Sequence, residues 1–141
     1  MIFRTVRELV ELAEKENKKI SEIMIEREMQ VMNKSRDEVI EQMDKNLQVM
    51  EEAVEKGLRG VTSVSGLTGG DAVLLQDYIA KGDTLSGTLL LDAVSKAMAT
   101  NEVNAAMGRI CATPTAGSAG VVPGTLFAVK NKLNPTRMQM I

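Results

Sequence analysis

The apolar positions of the first 60 residues recur at helical spacing in a charged background. Val6, Leu9, Val10 and Ala13 fall on one face of a helix. Ser21 is placed to cap a second helix over Glu22 to Met32. Ser35-Arg36-Asp37-Glu38 has the form of a capping box, in which hydroxyl and carboxylate satisfy each other's free amides. Beyond it Val39, Met43, Leu47, Met50 and Val54 step by four, four, three and four. That is the apolar stripe of one long helix, stopped at Gly57 or Gly60. The acidic and basic residues around these stripes read as a solvated face, and no site is expected among them.

After residue 60 the pattern changes. Gly60 to Asp71 reads as a loop, and Asp71 as the cap of a helix over Ala72 to Lys81 that Gly82 ends. A longer helix rich in Ala and Leu is predicted from about Thr88 to Met107, ending at Gly108. Asp92 and Lys96, four apart, mark its wetter side, and Asn101 lies nearly opposite on the drier one. Cys111 opens a loop rich in Gly, Pro and Thr that runs to about Gly120. Pro123 fits the first turn of a further helix through Phe127 to Lys132. Asn134-Pro135-Thr136 reads as a turn and N-cap with only Arg137 to Ile141 after it, as of a helix cut off at its start. Val61 to Val64 is too short for a convincing strand. The predicted class is all-α, an irregular helical domain with Gly-rich loops between helices.

Charge divides the chain at the same place. Residues 1–60 hold 14 acidic and 11 basic side chains, residues 61–141 only 5 and 6, whereas 9 of the 11 glycines lie in the second part. A stretch so poor in charge has little to present to water, so it is expected to be covered by more protein. The expected organisation is a charged N-terminal helical segment, 1–60, and a truncated piece of a larger helical domain, 61–141. The net charge of −2 and the lack of a basic patch give no support to a nucleic-acid partner. No apolar run is long enough for a membrane span or a signal core. A single cysteine suits a reducing cytoplasm.

With no His, the chain cannot form a Ser-His-Asp or Cys-His arrangement or a His-based zinc site. The ten Met residues read as adaptable filler of core and interface. Three segments remain as candidates. In Ser65-Gly66-Leu67-Thr68-Gly69-Gly70-Asp71 the glycines let backbone amides approach an anion, and the helix start adds partial positive charge. The loop lacks the Gly-Lys-Ser/Thr ending of a P-loop. A tight turn leading into a capped helix is the plainer reading of it. Thr100-Asn101-Glu102-Val103-Asn104 is a polar stretch in a small-residue helix, either a buried hydrogen-bond cluster or a substrate contact. Cys111, in Cys111-Ala112-Thr113-Pro114-Thr115-Ala116-Gly117-Ser118-Ala119-Gly120, follows Arg109 and lies among free amides, where a thiolate is favoured. A lone Cys is more often a small buried hydrophobe, and one thiolate cannot hold a zinc ion or a cluster.

Together, Ser65-Gly66-Leu67-Thr68-Gly69-Gly70-Asp71-Ala72, Asn101-Glu102-Val103-Asn104-Ala105-Ala106-Met107-Gly108 and the Cys111–Gly120 segment resemble iron–sulfur-dependent L-serine dehydratases. The resemblance covers essentially the whole chain and points to the N-terminal part of the α subunit in the two-chain members. It implies a fragment of a larger all-helical catalytic domain that carries a [4Fe–4S] cluster on three cysteines. An open iron of that cluster acts as Lewis acid in deaminating L-serine to pyruvate and ammonia. By resemblance Cys111 is the first cluster ligand. Ser65, Thr68, Gly69 and Gly70, with Thr113, Thr115 and Gly117, are expected to hold the substrate carboxylate. The remaining ligands and the base are expected outside this chain, the base in a β subunit. The fragment alone is therefore expected to bind no cluster, to be inactive, and to self-associate. Two other readings stand beside this one: a helical interaction module without chemistry, and an anion-binding module built on the Gly66–Asp71 loop.

Overall fold

The computed structural model describes residues 3–141. Its elements are seven helices, and no strand occurs among the described residues. The all-α expectation therefore holds. The chain divides into two compact units, Met1–Lys45 and Asn46–Ile141.

In the first unit, α1 (Val6–Glu16) is capped by Thr5, whose hydroxyl accepts from the Glu8 amide. Asn17, in the left-handed conformation at φ 51°, turns the chain into α2 (Ile20–Met32). This link is so short that α2 begins at Ile20 with Lys19 as its cap, and Ser21 lies inside the helix instead of capping it. Ile23 is fully buried. The predicted capping box opens α3 (Arg36–Leu58): the Ser35 amide donates to Glu38 Oε2 at 2.8 Å, and the Glu38 amide to Ser35 Oγ at 3.3 Å. The Ser35 amide, joined by the Ser35 hydroxyl donating to the same oxygen at 2.9 Å, holds the Glu38 carboxyl below its ordinary range.

The second unit holds the rest of α3 with α4 (Asp71–Ala80), α5 (Thr88–Ala105), α6 (Ser118–Leu133) and α7 (Arg137–Met140). Leu47 and Val54, two positions of the predicted stripe, are buried with Phe127, and Met50, Leu58, Leu126 and Met140 pack against them. The helix does not stop at Gly57. That glycine is buried in α3 because the α5 backbone passes close by: a Cβ there would lie 2.2 Å from the Ala99 carbonyl oxygen. The chain leaves α3 through Gly60 at φ 91°. Capped by Gly70, α4 takes Asp71 as its first residue rather than its cap.

α5 is central, packing against α4 and, more extensively, α6. Its faces differ from the predicted ones. Asp92 and Lys96 do pair, but Lys96 is buried at 6% exposure, whereas Asn101 is exposed. Lys96 lines a small cavity with Val54 and Leu58 of α3 and Phe127 of α6, on a face that the amphipathic reading leaves wet, and the long Lys stem packs readily there. The α5 helix ends at Ala105, three residues before the predicted glycine, with Met107 itself left-handed at φ 60° and the Gly108 amide donating to the Val103 carbonyl at 2.8 Å. α6 starts five residues before Pro123, which therefore sits inside the helix. On either side of that proline, Gly120 and Gly124 press against Ala97 and Ala93 of α5, their hypothetical Cβ atoms 2.7 and 2.6 Å from the two carbonyl oxygens. Thr136 forms a capping box with Gln139 at the start of α7. Among the described residues no helix is long and apolar enough to cross a membrane.

Candidate functional site at the C-terminal end of helix α5

The starts of α4 and α6 both meet the late turns of α5. Glu102 Oε1 accepts from the Ala72 amide in the first turn of α4 at 3.1 Å. A Cβ on Gly120, in the first turn of α6, would lie 2.8 Å from Asn101 Nδ2. Asn101 and Glu102 are neighbours, so the two Gly-rich loops feeding α4 and α6 are brought to one end of the three-helix layer. Two helix N-termini, each with partial positive charge, face the C-terminal end of α5 there. Chain folding thus assembles the three segments singled out from the sequence.

The first loop is tied largely to itself. The Ser63 amide donates to the Thr68 carbonyl at 2.8 Å, the Thr68 amide to Ser63 Oγ at 3.1 Å, and the Gly66 amide to the Ser63 carbonyl at 2.9 Å. Ser65 Oγ lies 3.2 Å from Ser63 Oγ. Ser65 and Thr68 are exposed at the tip. Gly69, at φ 133°, passes so close to the preceding backbone that a Cβ would lie 2.0 Å from the Val61 carbonyl oxygen. No other residue fits there. Around Gly66 and Gly70 the Cβ position is open.

Ala72, just inside α4, is fully buried and held at both backbone groups by α5. Its amide donates to Glu102, and its carbonyl accepts from Ser95 Oγ at 3.2 Å. Ser95 in turn accepts from Gln76 Nε2 at 2.8 Å. In the sequence Glu102 stands out only as part of a polar stretch. Its being the one charge between Lys96 and Arg109 is the signal available for it.

The second loop also satisfies its own groups. Thr115 Oγ1 accepts from the Ser118 amide at 3.1 Å, and Ser118 Oγ accepts from the Thr115 amide at 3.1 Å. Thr113 Oγ1 and Ser118 Oγ are 2.6 Å apart. Thr115 and Ser118 thus close the turn that leads into α6, whose own N-cap is Gly117 without a side-chain bond, a role for Ser118 that its sequence position alone does not signal. Thr115 and Gly117 are exposed and Thr113 half-buried.

Cys111 lies half-buried between Arg109 and this loop, its Sγ 3.7 Å from the Ala112 carbonyl oxygen. The expected thiolate stabilisation is not found. Arg109 is paired with Glu52 at 2.6 Å, and desolvation pushes the Cys111 thiol above its ordinary pKa. Among the described residues no group of three or more His, Cys, Asp or Glu side chains is placed to hold a metal ion. The donor set of this chain is one thiol, and that does not fit an iron–sulfur cluster, which takes three or four ligands. A pocket of about 420 Å³ lined by Ile79, Thr88, Leu89 and Asp92, among others, involves the opposite end of α5 and none of the predicted site residues.

A sequence profile described as "Serine dehydratase alpha chain" matches residues 15–141. A "Probable L-serine dehydratase, alpha chain" of Bacillus subtilis is 68% identical over 140 residues, 99% of this chain and 47% of that protein. An "L-serine dehydratase, alpha chain" of Peptoniphilus asaccharolyticus is 32% identical over 135 residues, 94% of this chain and 46% of that protein. The chain thus spans about half the length of these relatives. No solved structure matches it.

Proposed function

Since the chain belongs to the serine dehydratase alpha chain family, we propose that it forms the N-terminal part of an L-serine dehydratase α subunit, a lyase converting L-serine to pyruvate and ammonia. The observation that carries this reading is the 68% identity over 99% of the chain. The convergence of both Gly-rich loops on Asn101 and Glu102 supports a site at that end of α5. Residues 61–141 carry the site, and residues 1–60 are a helical segment without chemistry of its own.

In this reading the loop groups at Ser65, Thr68, Gly69 and Gly70, with Thr113, Thr115 and Gly117, receive the L-serine carboxylate. Amides and hydroxyls there stabilise negative charge, and two helix N-termini reinforce them. Cys111 contributes one ligand to the iron–sulfur cluster, which supplies Lewis acidity once other cysteines outside this chain complete it. No step is assigned to a cluster held by this chain alone. The acid–base groups come from a β subunit, and the enzyme works in the cytoplasm.

Val64, Leu67 and Leu85 are about nine-tenths or more exposed, at 90%, 89% and 101%. This apolar surface supports covering by the remaining α-chain sequence and the β subunit, and self-association when the 141 residues stand alone. The test is anaerobic reconstitution of the full-length α and β chains with iron and sulfide, followed by pyruvate release from L-serine. We expect turnover by the pair, none by the 141-residue chain, and loss of both cluster absorbance and turnover on Cys111→Ser. Retained activity in that variant would reject the ligand assignment.

A further inference from the structure

Glu102 presents a feature that helix capping does not use. Its side chain is buried at 4% exposure, and only one carboxylate oxygen is engaged, by the Ala72 amide. Among the described residues no protein group donates to the other oxygen, Oε2. A buried acceptor without a donor is costly, more so when it belongs to a carboxylate, and native proteins rarely keep one without a use. Both oxygens share one carbon, so Oε2 lies within a few Å of the first turn of α4. That is the turn that Gly69 and Gly70 lead into.

We propose that Glu102 Oε2 is the acceptor for the α-ammonium group of an amino-acid ligand whose carboxylate is held by the adjoining Gly-rich loop. The inference rests on the function proposed above and names the residue that selects an amino acid over other carboxylates. Charge decides the ligand class. A helix N-terminus with open glycine backbone attracts an anion, but a fixed carboxylate at the same turn repels one. A zwitterion satisfies both, its carboxylate on the amides and its ammonium on Oε2. A simple phosphate or carboxylate satisfies only the first. Glu102 thereby becomes a specificity-determining residue, held by α5 against the first turn of α4.

The test compares two non-reacting probes, L-alanine and L-lactate, which share a carboxylate and a methyl group and differ in ammonium against hydroxyl. They are titrated calorimetrically into the full-length αβ enzyme, wild type and Glu102→Gln. We expect the wild type to bind L-alanine about tenfold more tightly than L-lactate. Glu102→Gln should bring the two within about twofold of each other, with L-lactate affinity little changed. Ser95→Ala removes the other clamp on Ala72 and serves as the structural control. It should lower the melting temperature and leave the alanine-to-lactate ratio intact. An unchanged ratio in Glu102→Gln, or a wild type indifferent to the ammonium group, overturns the proposal. Should Glu102→Gln fail to fold, the same ratio is read in Glu102→Asp, where a several-fold fall supports the proposal and an unchanged ratio overturns it. Turnover of L-serine is scored separately. Its absence would reject the enzymatic reading, while a preference for L-alanine that Glu102→Gln abolishes would still support the ammonium site.

Discussion

The two Gly-rich loops lead into helices that start beside the same turn of α5, yet the two starts are held in different ways. The turn into α6 is closed from within its own sequence, ahead of its glycine N-cap, by Thr115 and Ser118, each hydroxyl accepting from the other's amide. α4 begins at a glycine with no side-chain cap, and its first turn is held from 30 residues away by Glu102. The difference separates local from tertiary control. That turn needs only four successive residues, Thr115 to Ser118, whereas the α4 start is fixed once α5 has packed against it. The first loop also depends on close backbone approach at Gly69, and the second has open space at Gly117.

The strongest way to break this contrast is Gly69→Ala. The added carbon would meet the Val61 carbonyl oxygen at 2.0 Å and face a φ of 133°, so the loop cannot keep its path. A loss of about 3 kcal/mol or more is expected in urea unfolding. Gly117→Ala, with open space around it, should cost far less. A smaller effect is expected from Ser118→Ala, which removes the side-chain bond closing the turn into α6 and should cost about 1 kcal/mol. Hydrogen exchange should then rise at the first turn of α6 and stay unchanged at Ala72. Faster exchange at both places would show that the two helix starts are coupled after all. The smallest effect concerns reactivity rather than stability. Burial raises the Cys111 pKa, so its thiolate fraction at pH 7.4 should lie below that of a free thiol. Iodoacetamide should modify it several-fold more slowly than glutathione. Faster alkylation would indicate an activating cation that Arg109, paired with Glu52, does not supply.

Local signals in the sequence suffice where the chain needs nothing else. The Ser35–Glu38 box, the Thr136 cap and the burial of Leu47 and Val54 all follow from spacing within a few turns. The misplaced features depend on a second segment. Gly57 reads as a helix stop until the α5 backbone at Ala99 makes it a contact point. Pro123 reads as a first-turn residue until the Thr115–Ser118 turn starts the helix earlier. Lys96 reads as wet because what covers it comes from other segments, α3 and α6. At the candidate site, the three segments were legible as polar or glycine-rich departures from helical pattern. Their meeting at Asn101 and Glu102 was not, because it arises from packing between helices.

Gly57, Gly120 and Gly124 lie where one helix backbone rests directly on another, with hypothetical Cβ atoms 2.2 to 2.7 Å from carbonyl oxygens. Alanine scanning across this interface would therefore read upside down. At these positions the customary subtractive probe is an addition, prying helices apart where elsewhere it opens a gap. A scan scored without regard to sign would rank three featureless residues above most of the side chains that do chemistry. The assembly would then seem to be held by groups it does not possess.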